Sequence, residues 1–516
     1  MNATAHGAAA PTRETLSVID TAWLRMDRPA NLMMICGMLM FKDRVELHAL
    51  REVVRTRMLC FHRFLQRIVN RENQPRWETD PNFDLDWHVC HIAVPDGEGL
   101  EDLLSELVST PLDPARPMWQ YHLVDLAYGG SAVILRVHHC YGDGFALMHV
   151  LASMTDPSPD YQRSPAGDVK GNGASRGAWE RMFGTVTEVM GDAMRVAGLA
   201  VEMGMDILSH PSLALEYWKS GYALARDTAI IATMTPDAPT RLKGPLGIMK
   251  RVAWARPLSL LEVKAVGEAF GCSVNDVLLA CVAGALRNYL IAQGDQLGKV
   301  EMRALVPVNC RPPGPIRELG NMFGLVFLGL PLGEADPFDR LMEVHRRMDE
   351  LKQSQQPTVA LGILASMGVL PEAMKENVLE ALAANASAVI SNVRGSAQPQ
   401  YFAGKRIDRQ VFWVPQSGGI GIGISILTYA GNVDFAVIAD AKRVPHPEAL
   451  VAGFIDEFEI LLICTLLAGF GQERRVSTRA HIAQSSHRGA KSHASGLTPP
   501  QHDTSPRRGA HRAPGR

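Results

Sequence analysis

A mixed α/β fold in two halves is what this sequence predicts, and three observations carry the prediction. The segment Ser131 to His139, SAVILRVHH, is apolar at successive positions, as expected of a strand buried on both faces. Strand-like runs alternate with helical spacing on either side of a central stretch that reads as helix alone. The chain has 516 residues, more than one domain of roughly 100 to 200 residues commonly holds.

Taken in order, residues 1–15 are a flexible start without the apolar run of a secretory signal. A first domain, 16–170, opens with an apolar run suited to a buried strand, Asn31 to Phe41. Helical spacing follows from Glu46 to Met58 through Leu47, Leu50, Val53 and Val54. After the strand Ser131 to His139 comes a helix, Phe145 to Met154, and then a loop rich in Pro, Ser, Gly and Asp that marks the domain exit. A helical linker covers 171–240. Met182, Val186, Val189, Met190, Ala193, Ala197 and Val201 share one face, Pro211 ends that helix, and a second runs from Leu213 to Met234.

The second α/β domain, 241–470, carries strands at Arg251 to Ala255, Met302 to Asn309, Phe323 to Leu330 and Ala388 to Val393. A hairpin then joins Gly419 to Thr428 with Val433 to Ala439. Its helices are Ser259 to Phe270, Val274 to Leu290 and Pro447 to Leu467. The tail, 471–516, changes character. From Gln472 onward nine Lys/Arg face only Glu473 and Asp503 without any hydrophobic pattern, the composition of a disordered basic segment.

Composition excludes several classes. With 52 Lys+Arg against 54 Asp+Glu the net charge is −2, which argues against a nucleic-acid partner. The eight cysteines show no C-x-x-C pair and no finger spacing, so reduced thiols and no metal are expected. No uninterrupted apolar window is long enough to span a bilayer, so a cytoplasmic chain is expected. Its 23 methionines and apolar helices suit peripheral contact with a membrane or lipid inclusion.

The sharpest local feature is His138-His139-Cys140-Tyr141-Gly142-Asp143-Gly144, between the two-faced strand and the helix that follows it. Neighbours on a strand point to opposite faces, so the two imidazoles need separate explanations. One can act as a base in a cleft while the other is tied into the sheet beside Arg136. Asp143 stands where an N-cap would, with Gly142 and Gly144 permitting a tight turn. A histidine suits removal of an alcohol proton near neutral pH. There is no G-x-S-x-G elbow and no phosphate-cradling GxxxxGK[ST] loop. Cys140 alternates away from His139, which disfavours it as a nucleophile. The run Gly419-Ile-Gly-Ile-Gly-Ile-Ser425 leads into a strand rather than a helix, so it is not a dinucleotide fingerprint. Its glycines leave one face bare, either for close sheet packing or for a channel wall with Ser425 near the reacting centre.

These residues, HHxxxDG above all, resemble the bacterial wax ester synthase/acyl-CoA:diacylglycerol acyltransferase family. HHxxxDG alone is shared with the wider CoA-dependent acyltransferase superfamily. The resemblance is narrowed by Leu16-Ser17 with Asp20 and Trp23-Leu24-Arg25, Pro111-Leu112-Asp113 with Arg116-Pro117-Met118-Trp119, and Gly244-Pro245-Leu246-Gly247. Val274-Asn275-Asp276-Val277, Val306-Pro307-Val308-Asn309, Gly320-Asn321 and Ser391-Asn392-Val393 extend it. Arg394 and Lys243 depart from the usual Pro and Asn at their positions.

The resemblance implies two chloramphenicol-acetyltransferase-like domains joined by the linker, with the active site in a tunnel between them. It implies that His139 is the general base, with His138 and Asp143 holding its geometry. Gly144, Asn275, Asp276 and Ser425 would shape the site, although Asn275 and Asp276 could equally just cap a helix. It implies acyl-CoA as co-substrate, no resident cofactor, and a long-chain alcohol or diacylglycerol as acceptor. The competing expectations are a condensation-type enzyme with a carrier-protein donor and a non-catalytic coat of neutral-lipid inclusions.

Overall fold

The computed structural model describes residues 14–71, 74–94, 99–127, 129–161, 226–227, 229–231, 233–298, 300–311, 319–367, 383–416 and 418–467. Most of the expected helical linker and the whole basic tail lie outside the described residues. Residues up to Leu462 make one compact unit, and Ile463–Arg516 make a second.

Two large sheets organise the described residues, and four of their strands come from the first half: β1 (Met34–Phe41), β2 (Val89–Ile92), β3 (Trp119–Asp125) and β4 (Ser131–His138). The other eight strands of these two sheets come from the second half: β5 (Lys250–Trp254), β6 (Leu258–Ser259), β7 (Met302–Asn309), β8 (Phe323–Leu330), β9 (Ala388–Arg394), β10 (Arg409–Trp413), β11 (Ile422–Tyr429) and β12 (Asn432–Asp440). The first sheet has the order β10-β1-β4-β3-β2. The second has β8-β7-β9-β11-β12-β5, with β6 also on β12. β9 runs parallel to both neighbours.

The division at residue 241 is a division of sequence only. β10 belongs to the second half, yet it pairs antiparallel with β1 from Arg409 opposite Met40 to Trp413 opposite Cys36. Without it β1 would be an open, apolar edge. Val411 and Trp413 complete a core with Cys36, Met38 and Ile134. As its sequence requires, β4 is buried on both faces. Val133 and Val137 point into one core, Ala132 and Ile134 into the other.

Where β10 and its continuation meet β11, the sheets approach too closely for side chains. A Cβ on Gly423 would stand 3.0 Å from the Val414 carbonyl oxygen, and one on Gly421 would stand 2.4 Å from that of Leu242. The glycine-spaced run is therefore a packing seam, and the channel-wall expectation is corrected. Ser425 donates its hydroxyl to the Phe412 carbonyl across this seam.

Five helices matter for the site: α1 (Val18–Met26), α2 (Gly144–Met154), α3 (Leu260–Phe270), α4 (Val274–Ala292) and α5 (Pro337–Lys352). α4 is long and apolar enough by composition to cross a bilayer, but it is mostly buried as the central core helix of the second half.

Candidate active site

β4 ends at His138, and the chain tightens into a single 3₁₀ turn, His139–Tyr141, before Asp143 caps α2. Two neighbours hold the strand end. His138 N–H donates to the Met118 carbonyl at 2.9 Å, and His139 N–H donates to that of Met33 at 2.7 Å. His138 Nδ1 accepts the Cys140 N–H at 3.2 Å, so this imidazole caps the turn that presents its neighbour. Its Nε2 is buried without a partner, 3.8 Å from Asp27. Burial, assisted by His139, lowers its pKa to about 3.

His139 faces the other way. Its ring stacks on Trp23 with centroids 4.1 Å apart and planes 13° apart, and Phe323 tilts against it at 5.8 Å. Nδ1 lies 2.8 Å from Asn321 Oδ1, whereas no described residue hydrogen-bonds Nε2. Burial lowers the pKa to about 4, and the nearby Asp143 carboxylate pulls the other way. The ring is neutral at pH 7, with one nitrogen held and the other free to act.

Asp143 does not bond to either imidazole. Its Oδ1 accepts from the Ala146 N–H at 3.0 Å, and its Oδ2 accepts from Arg311 at 2.6 Å and from the Met322 N–H at 2.9 Å. Arg311 also donates to the Gly320 carbonyl at 2.6 Å. The carboxylate therefore clamps α2 to the loop that delivers Asn321, and it holds the geometry of His139 through that loop. Gly144 corrects an expectation. It is the first residue of α2, its φ is not positive, and an added Cβ would meet nothing within 4 Å. The turn does not need it, and open space lies beside it. The glycine that does need its freedom is Gly320, at φ +140°.

The second-half motif is assembled differently. Ser273 and Asp276 form a capping box at the start of α4, and Asp276 Oδ2 also lies 2.8 Å from His345 Nδ1. Asn275 Oδ1 accepts from the Asn392 amide at 2.8 Å. Neither residue hydrogen-bonds to the His139 cluster, and neither does Ser425. Cys140 is buried with its thiol pKa pushed well up by burial, its Sγ 3.0 Å from His138 Nδ1. Trp119 is a core aromatic whose indole donates to the Phe64 carbonyl at 2.8 Å.

Sequence reasoning assigned no site role to Asp20, Trp23, Arg311 or Asn321. Asp20, Trp23 and Asn321 stand in segments shared with the resembled family, which was the available signal. Their meeting could not be read because 301 positions separate Asp20 from Asn321. Beside the same strand end, a crevice between the sheets is lined by Leu32, Met34, Cys36, Trp413, Gln416 and Ile438, among others. Met34 is the cross-strand neighbour of His138.

Comparison with known proteins identifies the family and the fold. Residues 16–278 match the wax ester synthase/diacylglycerol acyltransferase catalytic domain, and 319–462 match the WS/DGAT C-terminal domain. A protein of Mycobacterium tuberculosis named probable diacylglycerol O-acyltransferase is 27% identical over 414 residues, covering 76% of this chain and 83% of its own. A second of the same name and organism is 28% identical over 384 residues, covering 73% and 81%. Among solved structures, the wax ester synthase/diacylglycerol acyltransferase from Marinobacter aquaeolei aligns with TM-score 0.61 at 21% identity, covering 87% of this chain and 99% of that one. The first condensation domain of the calcium-dependent antibiotic synthetase aligns with TM-score 0.54 at 16% identity, covering 88% and 96%. The latter two show a shared fold. The matched domains, the HHxxxDG turn and the two-sheet architecture together place this chain in the wax ester synthase/diacylglycerol acyltransferase family.

Proposed function

We propose that this enzyme moves a fatty acyl group from acyl-CoA to the hydroxyl of a long-chain alcohol or diacylglycerol by direct attack. His139 Nε2 takes the hydroxyl proton as the oxygen bonds to the thioester carbonyl carbon. The tetrahedral intermediate then collapses with cleavage of the C–S bond, and the imidazolium returns the proton to the departing CoA sulfur. The observation that carries this reading is a buried, neutral imidazole with one nitrogen held by Asn321 and the other without a hydrogen-bond partner among the described residues. Alignment of the two substrates would supply several kcal/mol of the barrier reduction. CoA is a co-substrate here, and no resident cofactor enters the scheme. The high pKa of the Cys140 thiol supports direct transfer over an acyl-cysteine route.

Access to such acceptors requires a lipid surface, the inner membrane face or a cytoplasmic inclusion. Exposed Ile248 and Met249 support this, since they precede β5 in a loop where Lys442 and Arg443 lie against Gly247 and Gly244. The experiment is a panel on one preparation: palmitoyl-CoA with hexadecanol, with dioleoylglycerol and with neither, plus a palmitoyl carrier protein as alternative donor. Acceptor-dependent CoA release with ester formation is expected. Transfer only from the carrier protein would overturn the donor assignment, and absence of transfer in every pairing would favour the coat protein.

A further inference from the structure

We propose that Asn321, held by Asp20, is a positioning residue that locks His139 in the Nδ1–H tautomer, so that Nε2 presents a bare lone pair to the acceptor hydroxyl. This rests on the acyl-transfer reading above and specifies how its base is armed.

The argument turns on which way the Asn321 amide faces. Its Nδ2 donates to Asp20 Oδ1 at 2.8 Å and to the His139 main-chain carbonyl at 2.8 Å. A carbonyl oxygen can only accept, so the NH₂ group must be on that side and Oδ1 must face the ring. Oδ1 lies 2.8 Å from His139 Nδ1, and an amide oxygen cannot donate. The ring nitrogen therefore carries the hydrogen, and in a neutral imidazole the proton is then absent from Nε2.

Asp20 fixes the amide from behind. It is buried in α1 and also accepts the Asn321 backbone N–H at 3.3 Å, so it grips main chain and side chain together. Gly320 permits this. Its φ of +140° is one that residues with a side chain rarely adopt, while a Cβ there would make only an ordinary 3.7 Å contact with the Asp20 carboxylate. The lock spans the molecule, because Asp20 and His139 belong to the first half and Asn321 to the second. The loop that carries Asn321 is fastened separately by Arg311 and Asp143. The halves must therefore be docked for the base to hold its reactive tautomer. A neutral amide stands at this position instead of the carboxylate that commonly orients a catalytic histidine. It directs the proton without placing a second negative charge against the ring.

The direct test is long-range ¹H–¹⁵N correlation on the full-length, ¹⁵N-histidine-labelled protein at pH 7. The His139 resonances are identified by their absence from the His139→Gln spectrum. The expected pattern is a protonated Nδ1 and a bare Nε2. A protonated Nε2 in the wild type would overturn the proposal, whatever the activity. In Asn321→Ala, a mixed-tautomer pattern and a fall in kcat of about 10–100-fold, with both KM values nearly unchanged, are expected. Unchanged kcat together with an unchanged His139 pattern would also overturn it. Wild-type protein with a bare Nε2 but no transfer from any acyl donor would sustain the lock while defeating the acyl-transfer reading, so the two fail separately.

Discussion

Two buried helix starts, one in each half, carry the two polar motifs of this chain, and they differ in what their side chains leave over. At α2 the carboxylate of Asp143 is occupied by the helix and Arg311, while among the described residues the preceding imidazole of His139 keeps one nitrogen without a hydrogen-bond partner. At α4 the carboxylate of Asp276 serves its own capping box and His345, and Asn275 bonds across to Asn392. The atoms left over there, Asn275 Nδ2 and Asp276 Oδ1, are sealed from solvent. An amide nitrogen is no base, and the Asp276 carboxylate is committed to its helix start and to His345. Similar local syntax thus leaves a ring nitrogen available in one half and builds a structural joint in the other.

The sharpest way to break this contrast is His139→Ala, expected to lower turnover per folded molecule by about 10²–10⁴-fold. CoA release comparable to wild type would remove the base assignment. Next comes Asp143→Ala, which leaves the part-buried Arg311 without its carboxylate and α2 without its cap, and should cost about 3 kcal/mol in urea unfolding. If stability holds and only turnover falls, the clamp is not what that carboxylate does.

Acid provides a third probe. Burial lowers His88, His122 and His139 to about 4 and His138 to about 3. A histidine whose folded pKa is depressed binds its proton more readily when unfolded, so stability falls as pH drops below the unfolded value of about 6.5. At pH 5 the loss is on the order of 2 kcal/mol or less for each such group. The folded base stays neutral until pH approaches about 4. Between pH 6.5 and 4.5 the melting temperature should therefore fall while kcat of the folded fraction stays level. A kcat that titrates near 6.5 would contradict the burial of His139.

Asp276→Ala should cost about 1 kcal/mol through loss of the cap, with turnover per folded molecule unchanged. A large fall in turnover at full stability would move the second motif into the chemistry. Least affected should be Cys140→Ala, since direct transfer needs no thiol. Loss of ester formation there would revive the covalent route.

Much of the frame was legible in order. The two-faced apolarity of Ser131 to His138 marked a central strand, and the hairpin at Ala430-Gly431 and the helix from Val274 were readable from local pattern. Other pieces were hidden because their pattern is not local. Trp119–Asp125 carries Gln120 and His122 among apolar residues, and Arg136 hydrogen-bonds to both side chains, which makes the polar breaks tolerable. Arg409–Trp413 is short, and only the open edge of β1 explains its place. The glycines before Ser425 were ambiguous between packing and a channel wall until Val414 and Leu242 were seen against them.

By itself the sequence determined most of the elements and singled out His139 as the candidate base. Periodicity, capping residues and the HHxxxDG turn act over a few residues, where chain geometry leaves few choices. Only the tertiary structure decided which nitrogen of His139 is free. That depends on Asn321 and Asp20, which are brought together by burial of two apolar sheets rather than by any local preference. Distant polar groups meet where the cores close, and their hydrogen-bond directions then leave one arrangement of protons.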